Sequence, residues 1–593
     1  MKQSLDLAVL GNCEIAALVD RNASIVWCCL PRFDGDPLFH RLVAGSNEAD
    51  GHFSIDVADT VSTRRAYVPN TSVLETDIAS SAGIVRITDH VPRYEHWGRI
   101  LRPAMIVRRI EPIAGQPQVT IRARPLTNWG RRRPDRTRGS NHVRWLLDDQ
   151  VVRLTTTIPA EFIDREITFV LDRPHAMVLG PDEAIAEELM EYERRSRERT
   201  IDYWTAWVRG LALPFEWQDV VIRSAITLKL CAYEQSGGIV AALTTSIPEY
   251  GSPGRNWDYR FCWLRDAFFS VQALNRLGAT AVMENFMGWV RNVVARSPTG
   301  YLQPLYGLTF ESRLEEGEIA ELPGYRDLGP VRVGNGAYSQ VQNDSYGSVV
   351  LALAQSFWDT RLTRPGDAHL FAMLEPLGEQ AKRRWNEPDA GVWEYRGRQL
   401  VHTHSAVMCW AACDRLARIA ERLGLEDRAA AWAAAAQTIH AGICAEAWNA
   451  ELQSFTSHFD GKDVDASLLL LVDLGFLAPM DPRALGTLAE VEKRLRHGNH
   501  LYRYAHQDDF GEPESAFNIC TLWLAETLAR VGREEEAREV FASVLAVRND
   551  VGLLSEGVEL SSGELWGNFP QTYSMVGLIR CARRLSKSWE DAF

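Results

Sequence analysis

Polar and apolar positions alternate in short runs through the first part of the chain. Phe53, Ile55 and Val57 sit between polar neighbours, as do Leu74, Thr76 and Ile78, and then Val85 and Ile87. A period of two predicts strands with one buried face. Turn-forming residues punctuate them at 22–24, at Pro69 and Asn70, and at 80–83. Many short strands so spaced predict an N-terminal antiparallel β-sandwich over residues 1–181. Residues 182–213 are rich in Glu, Arg and Ala and predict a solvent-facing linker helix. From residue 214 to 593 the spacing turns helical, with stretches at 219–235, 266–277, 346–359, 369–385, 405–423, 427–448, 515–531 and 533–547. About twelve helices at a spacing of roughly 30 residues fit helix pairs set radially as an all-α (α/α)6 barrel, a pattern that an open solenoid shares. The connection over 297–343 is too long for a tight turn. It carries Tyr301, Tyr306, Tyr325 and Tyr338, which suits a lid or a binding wall.

Composition narrows the picture. The 593 residues are 46% hydrophobic and 24% charged, which excludes a mainly disordered chain. A net charge of −14 argues against a general nucleic-acid binder and suits a neutral or cationic small-molecule substrate. Arg131, Arg132, Arg133, Arg136 and Arg138 then read as a solvated loop rather than a seat for an anionic partner. No run reaches the roughly 18 apolar residues that a membrane span needs. The nearest, 466–480, is short and carries Asp473. Near the start, Lys2 is followed by Asp6 and Glu14, which reads as no secretion signal and sets the expectation of a cytoplasmic protein. The ten scattered cysteines are expected to be reduced and buried, and Cys409 and Cys413, one helical turn apart, to be core rather than metal ligands. No metal or cofactor is called for, and a homo-oligomer is left open.

The conventional fingerprints are missing: no phosphate-binding Gly-Lys-Ser/Thr loop, no dinucleotide motif, no His-Glu-x-x-His and no Gly-x-Ser-x-Gly. What remains are carboxylates among aromatic residues. Glu394 lies in Gly391-Val392-Trp393-Glu394-Tyr395-Arg396-Gly397, and Glu556 in Leu553-Leu554-Ser555-Glu556-Gly557. A third group runs from Arg255 through Trp257, Tyr259 and Arg265 to Asp266. Aromatic faces stack on the apolar side of a pyranose, while Asp, Asn and Arg bind its hydroxyls. Cleaving a glycosidic bond needs one carboxylic acid and one carboxylate. On composition alone each of these acids could equally be a surface or salt-bridged residue.

Several segments, in order, resemble glycoside hydrolase family 15, the glucoamylase family. They are residues 18–34, 242–249, 255–267, 331–336, 391–397 with His402-Thr403-His404-Ser405, and Gly567-Asn568-Phe569-Pro570-Gln571. The resemblance implies a β-sandwich, a linker helix and a catalytic (α/α)6 barrel. It implies an inverting exo-hydrolase that releases glucose from the non-reducing ends of small α-glucosides, of glucoamylase or trehalase type. Glu394 matches the family's general acid and Glu556 its general base. Tyr259, Arg265 and Asp266 match residues that hold the terminal glucose, and Trp257, Trp393, Tyr306, Tyr338 and Arg396 are further candidate sugar contacts. The chain departs from many bacterial relatives after the base, reading Ser555-Glu556-Gly557 where they read Ser-Glu-Glu.

The chemistry sets physical demands. Glu394 is expected to hold a proton because burial against Trp393 raises its pKa, and Glu556 to be ionised. Inversion needs about 6.5–9.5 Å between the two carboxyl groups, to admit a water. If Glu556 were not the base, Glu559 or Glu564 would be next. Rival readings are an α-glucoside phosphorylase, which needs no base, and a non-catalytic sugar-binding protein.

Overall fold

The computed structural model describes residues 3–46, 49–297 and 299–592, so Lys2 of the N-terminal reading and Pro298 of the long connection lie outside the described residues. Two large antiparallel sheets, one of seven strands and one of eight, and a small hairpin of Tyr94–His96 with Arg99–Leu101 occupy the described chain up to Pro181. The alternation sets their register. Phe53 and Ile55 pair with Ala123 and Ile121, and Ile87 with Ile110, turning these side chains into a shared core. An ion pair is sealed inside that core. Arg108 Nε donates to Asp89 Oδ1 at 2.8 Å with neither side chain reaching solvent, and Arg108 Nη1 donates to the Phe53 carbonyl of the other sheet at 2.8 Å.

The helix at 182–213 is shorter than expected and half-buried. It runs Leu189–Arg209, and the Glu188 side chain caps it by accepting from the Met190 and Glu191 amides. Tyr192, Ser196, Thr200, Trp204 and Val208 form a buried stripe at helical spacing, so only its other face meets water.

Beyond it, helices pair in antiparallel fashion into two concentric rings. Leu264–Arg276, Asp344–Ala354, Thr403–Arg422, the short pair Ala466–Leu469 and Leu470–Asp473, Asn518–Arg530 and Thr572–Leu585 contact one another in turn, and the last returns to the first. Outside them pack Thr280–Ala295, Ala368–Arg384, Glu426–Glu446, Pro482–Leu495, Glu534–Ala546 and Gln218–Leu230. This is the (α/α)6 barrel. Its inner helices are buried almost all round, while outer ones such as Pro482–Leu495 keep one polar face. No described helix is long and apolar enough to cross a membrane.

The sheets grip the barrel by hydrogen bonds as well as packing. Trp27 Nε1 donates to the Leu243 carbonyl at 2.7 Å, and Arg93 Nη2 reaches both Glu234 oxygens at 2.7 and 2.8 Å. The arginine run is spent on surface pairs, Arg131 with Glu321 at 3.0 Å and Arg136 with Asp164 at 3.1 Å among them.

Truncating one partner of the sealed pair strands a charge in the core. Asp89→Ala is expected to lose about 3–5 kcal/mol in chemical denaturation, and Asp89→Leu with Arg108→Met to regain most of it.

Candidate active site

The inner helices all begin at one end of the barrel, where the loops before them surround a cavity of about 860 Å³, counted out to its open mouth. Every lining residue lies between Ala241 and Tyr573, so the sheets contribute none. Of the residues singled out in the sequence, Trp257, Tyr259, Arg265, Asp266, Trp393, Glu394, Arg396 and Glu556 line it together. Tyr306 and Tyr338 do not. Tyr306 belongs to a strand paired with Cys262–Trp263, its hydroxyl accepts from the Gln303 amide at 3.0 Å, and its ring packs on Trp289. Tyr338 lies against the cluster of Phe261, Leu305 and Leu314. The long connection reaches the cavity through Asn335, Ala337 and Gln340 instead of its tyrosines.

Glu394 stands in a tight turn with φ of +59°, in the left-handed region that costs an ordinary residue about 1 kcal/mol or more. Trp263 Nε1 donates to its Oε1 at 2.6 Å and Arg265 Nη2 to the same oxygen at 3.2 Å. Among the described residues none donates to Oε2. Trp393 is not the neighbour expected. Its indole N–H turns away to Asp465 Oδ2 at 3.0 Å, and its ring packs against Tyr504 and Phe517. Arg265 is also 3.3 Å from Asp266 and 3.7 Å from Asp344, so its charge is shared among three carboxylates. Burial pushes Asp266 up to about 6 in spite of that guanidinium.

Glu556 is buried at 3% exposure. Tyr259 OH donates to its Oε1 at 2.7 Å and Gln571 Nε2 to the same atom at 3.3 Å, while Oε2 has no partner. Burial raises its pKa well above the ordinary carboxylate range. Glu249 adds to the rise, and the Tyr259 hydrogen bond and Arg503 oppose it. The upward pressure therefore falls on the residue expected to be ionised, because it is Glu556 that is sealed from water. Gly567 makes this seat possible: a Cβ there would lie 2.5 Å from the Glu556 Cβ, at a φ of +81°. The Tyr259 ring packs edge-on against Trp263 at 5.5 Å, so one run of contacts, Glu556–Tyr259–Trp263–Glu394, joins the two acids.

Gly557, the departure from Ser-Glu-Glu, sits in a small strand pairing with both Ala516–Phe517 and Leu565–Trp566. A Cβ there would lie 3.0 Å from Ser515 Oγ and 3.1 Å from the Ala516 carbonyl oxygen, so a larger residue would need these neighbours to give by a few tenths of an ångström. Glu559 bonds Ser561 and Ser562, Glu564 pairs with Arg326, and neither lines the cavity. His404 is buried behind the cavity, and burial lowers its pKa to about 3.

Sequence reasoning passed over Glu249, Arg503, Tyr504, Asp508, Phe510, Gln571 and Tyr573, all of which line the cavity. Glu249 and Gln571 close two of the segments that carried the resemblance and could have been found there. Arg503, between two tyrosines in an otherwise plain stretch, had no such signal.

Comparison with known proteins agrees with this layout. The profile of Glycosyl hydrolases family 15 matches residues 217–583, and that of the Trehalase-like, N-terminal domain matches residues 4–149. The chain is 31% identical to a trehalase of Thermoplasma volcanium over 98% of its own length and 93% of that protein's. It is 32% identical to trehalase 1 of Sulfolobus acidocaldarius, covering 97% of each, and 30% identical to a trehalase of Mycobacterium tuberculosis, covering 99% and 90%. A bacterial glucoamylase solved in complex with acarbose superposes with a TM-score of 0.68 at 14% identity, covering 98% of this chain and 94% of that one, and so shares the fold.

Removing the phenol hydroxyl leaves Glu556 more poorly solvated. In Tyr259→Phe the Glu556 carboxyl is expected to titrate about one unit higher, the worth of a hydrogen bond to a charged acceptor. Carboxyl ¹³C shifts of labelled protein, referenced to Glu556→Gln, would measure it.

Proposed function

The chain belongs to glycosyl hydrolases family 15, and we propose that it is an inverting, exo-acting α-glucoside hydrolase whose first substrate is α,α-trehalose. One observation carries the mechanism: Glu394 and Glu556, from distant loops, line a single cavity. Glu394 is the general acid. Trp263 and Arg265 hold its Oε1, which leaves Oε2 to carry the proton to the leaving oxygen. Glu556 is the general base that takes a proton from the attacking water, and Tyr259 keeps its carboxylate aimed. Arg265 and Asp266 hold the hydroxyls of the terminal glucose at the closed end of the cavity. Arg396 and Phe510 stand on the leaving-group side.

The trehalose reading draws on relatives called trehalases that align along nearly the whole chain, and on the trehalase-like match at its N-terminus. The cytoplasm is the compartment that suits ten free thiols, nine of them buried.

Stereochemistry tests the reading. Inversion of trehalose delivers β-glucose from the attacked ring and α-glucose from the leaving ring in equal amounts, whereas retention delivers α alone. Early-time ¹H NMR is expected to show both anomers. A panel of maltose, isomaltose and trehalose ranks the linkages, and product that appears only with inorganic phosphate, as glucose 1-phosphate, would refute hydrolysis. Glu394→Gln and Glu556→Ala are each expected to lower kcat by about 10²–10⁴ with little change in sugar affinity by calorimetry. Unimpaired turnover in either variant would remove that residue from its role.

A further inference from the structure

Resting on the proposed roles of the two acids, we infer that Glu249 is a positioning residue for the base: it holds the Arg503 guanidinium on its own carboxylate, beside Glu556 and not on it. Arg503 Nη2 donates to Glu249 Oε2 at 2.5 Å. Trp257 Nε1 donates to the other oxygen, Oε1, at 3.2 Å. Arg255 stands 3.6 Å away but is itself held by both oxygens of Asp508 at 2.6 and 2.9 Å. The Glu249 backbone is fixed as well, since Ser515 Oγ donates to its carbonyl at 2.8 Å. Glu249 and Arg503 are both buried, and both line the cavity.

Arg503 has a reason to go elsewhere. Its Nε is buried without a partner, and the nearby Glu556 has an unpartnered Oε2. A guanidinium seated on a carboxylate stabilises the anion by one to three pKa units, and a base so stabilised takes a proton from water poorly. Glu249 prevents this in two ways: it engages the guanidinium, and it adds a negative charge near the base. The other groups facing Glu556 are Tyr259 and Asp266 on one side and Gln571 and Tyr573 on another. Tyr259 and Gln571 donate hydrogen bonds, and Asp266 adds negative charge, so Arg503 is the cation that Glu249 has to hold.

The pair predicts opposite shifts from its two halves. In Glu249→Gln the anion is lost and Arg503 is released. Glu556 then ionises more easily, and the acidic limb of the kcat/KM–pH profile moves to lower pH by about one to three units. Plateau kcat falls roughly tenfold, part of the 10²–10⁴ that base catalysis contributes. In Arg503→Gln the Glu249 charge stands unneutralised, and the limb moves to higher pH. Glu249→Asp, which keeps the charge, leaves the limb near its original place. A limb that stays put in Glu249→Gln overturns the inference, whatever happens to kcat. If that variant does not fold, a limb that fails to rise in Arg503→Gln overturns it instead. A parent enzyme that hydrolyses no α-glucoside would sink the functional reading itself. An active parent with unmoved limbs would sink only this step.

Discussion

A carboxyl group that has lost its water must be held by the protein, and the site is organised around meeting that need at Glu556. Burial penalises its charge, and what offsets the penalty is a short list: the Tyr259 hydroxyl at 2.7 Å, the Gln571 amide at 3.3 Å and the field of Arg503. Each comes from a different segment, so Glu556 is only as well placed as the loops that carry them. The fold's contribution is to make those loops rigid.

That rigidity reaches back into the sheets. Tyr259 is flanked by Asp258 and Arg260, which form a fully buried ion pair with contacts of 2.7 and 2.9 Å. Arg260 Nη1 also donates at 2.8 Å to the carbonyl of Gly35, in the turn between the first sheet's strands Ile25–Cys29 and Pro37–Phe39. A rigid two-sheet unit thus clamps the backbone on either side of the phenol that meets Glu556, although it lends no residue to the cavity. The barrel adds a second constraint. Three of its inner helices present their N-termini to the cavity, placing Arg265 and Asp266 in a first turn, Phe517 at a cap and Gln571 at another, where the partial positive charge of the helix end favours ionised carboxylates.

Much of this was legible in the chain. Alternation located Phe53 and Ile55 in a strand, and helical spacing placed 369–385 and 533–547 within a residue or two of Ala368–Arg384 and Glu534–Ala546. Both are outer helices with a polar face. The inner helix Thr572–Leu585, buried along most of its length, was passed over although its apolar residues keep a helical spacing. At the site, loop composition brought forward Glu394, Glu556 and the segment from Trp257 to Asp266. Tyrosines in the long connection were misleading, because Tyr306 and Tyr325 spend their rings on packing against Trp289 and Trp566. Arg503 was invisible, since a single arginine acquires its meaning only when folding sets it against Glu249.

The rim of the cavity follows a different rule from its floor. Arg396 is held by Glu316 at 2.6 and 2.8 Å and lies 4.1 Å over the Trp257 ring, Arg255 is held by Asp508, and Asp509 accepts the amides of Arg396 and Gly397 at 2.9 and 2.8 Å. Both arginines are matched by carboxylates and Asp509 only by backbone amides, so a ligand entering past them finds polar edges, the half-exposed ring of Phe510 and, among the described lining residues, no arginine without a carboxylate. An anionic ligand would have to break a pair to reach an arginine, at the desolvation cost such pairs impose. A neutral sugar need not. On the proposed reading, the rim selects against anionic ligands before the acids meet the glycosidic bond, in keeping with the neutral or cationic substrate that the acidic chain suggests.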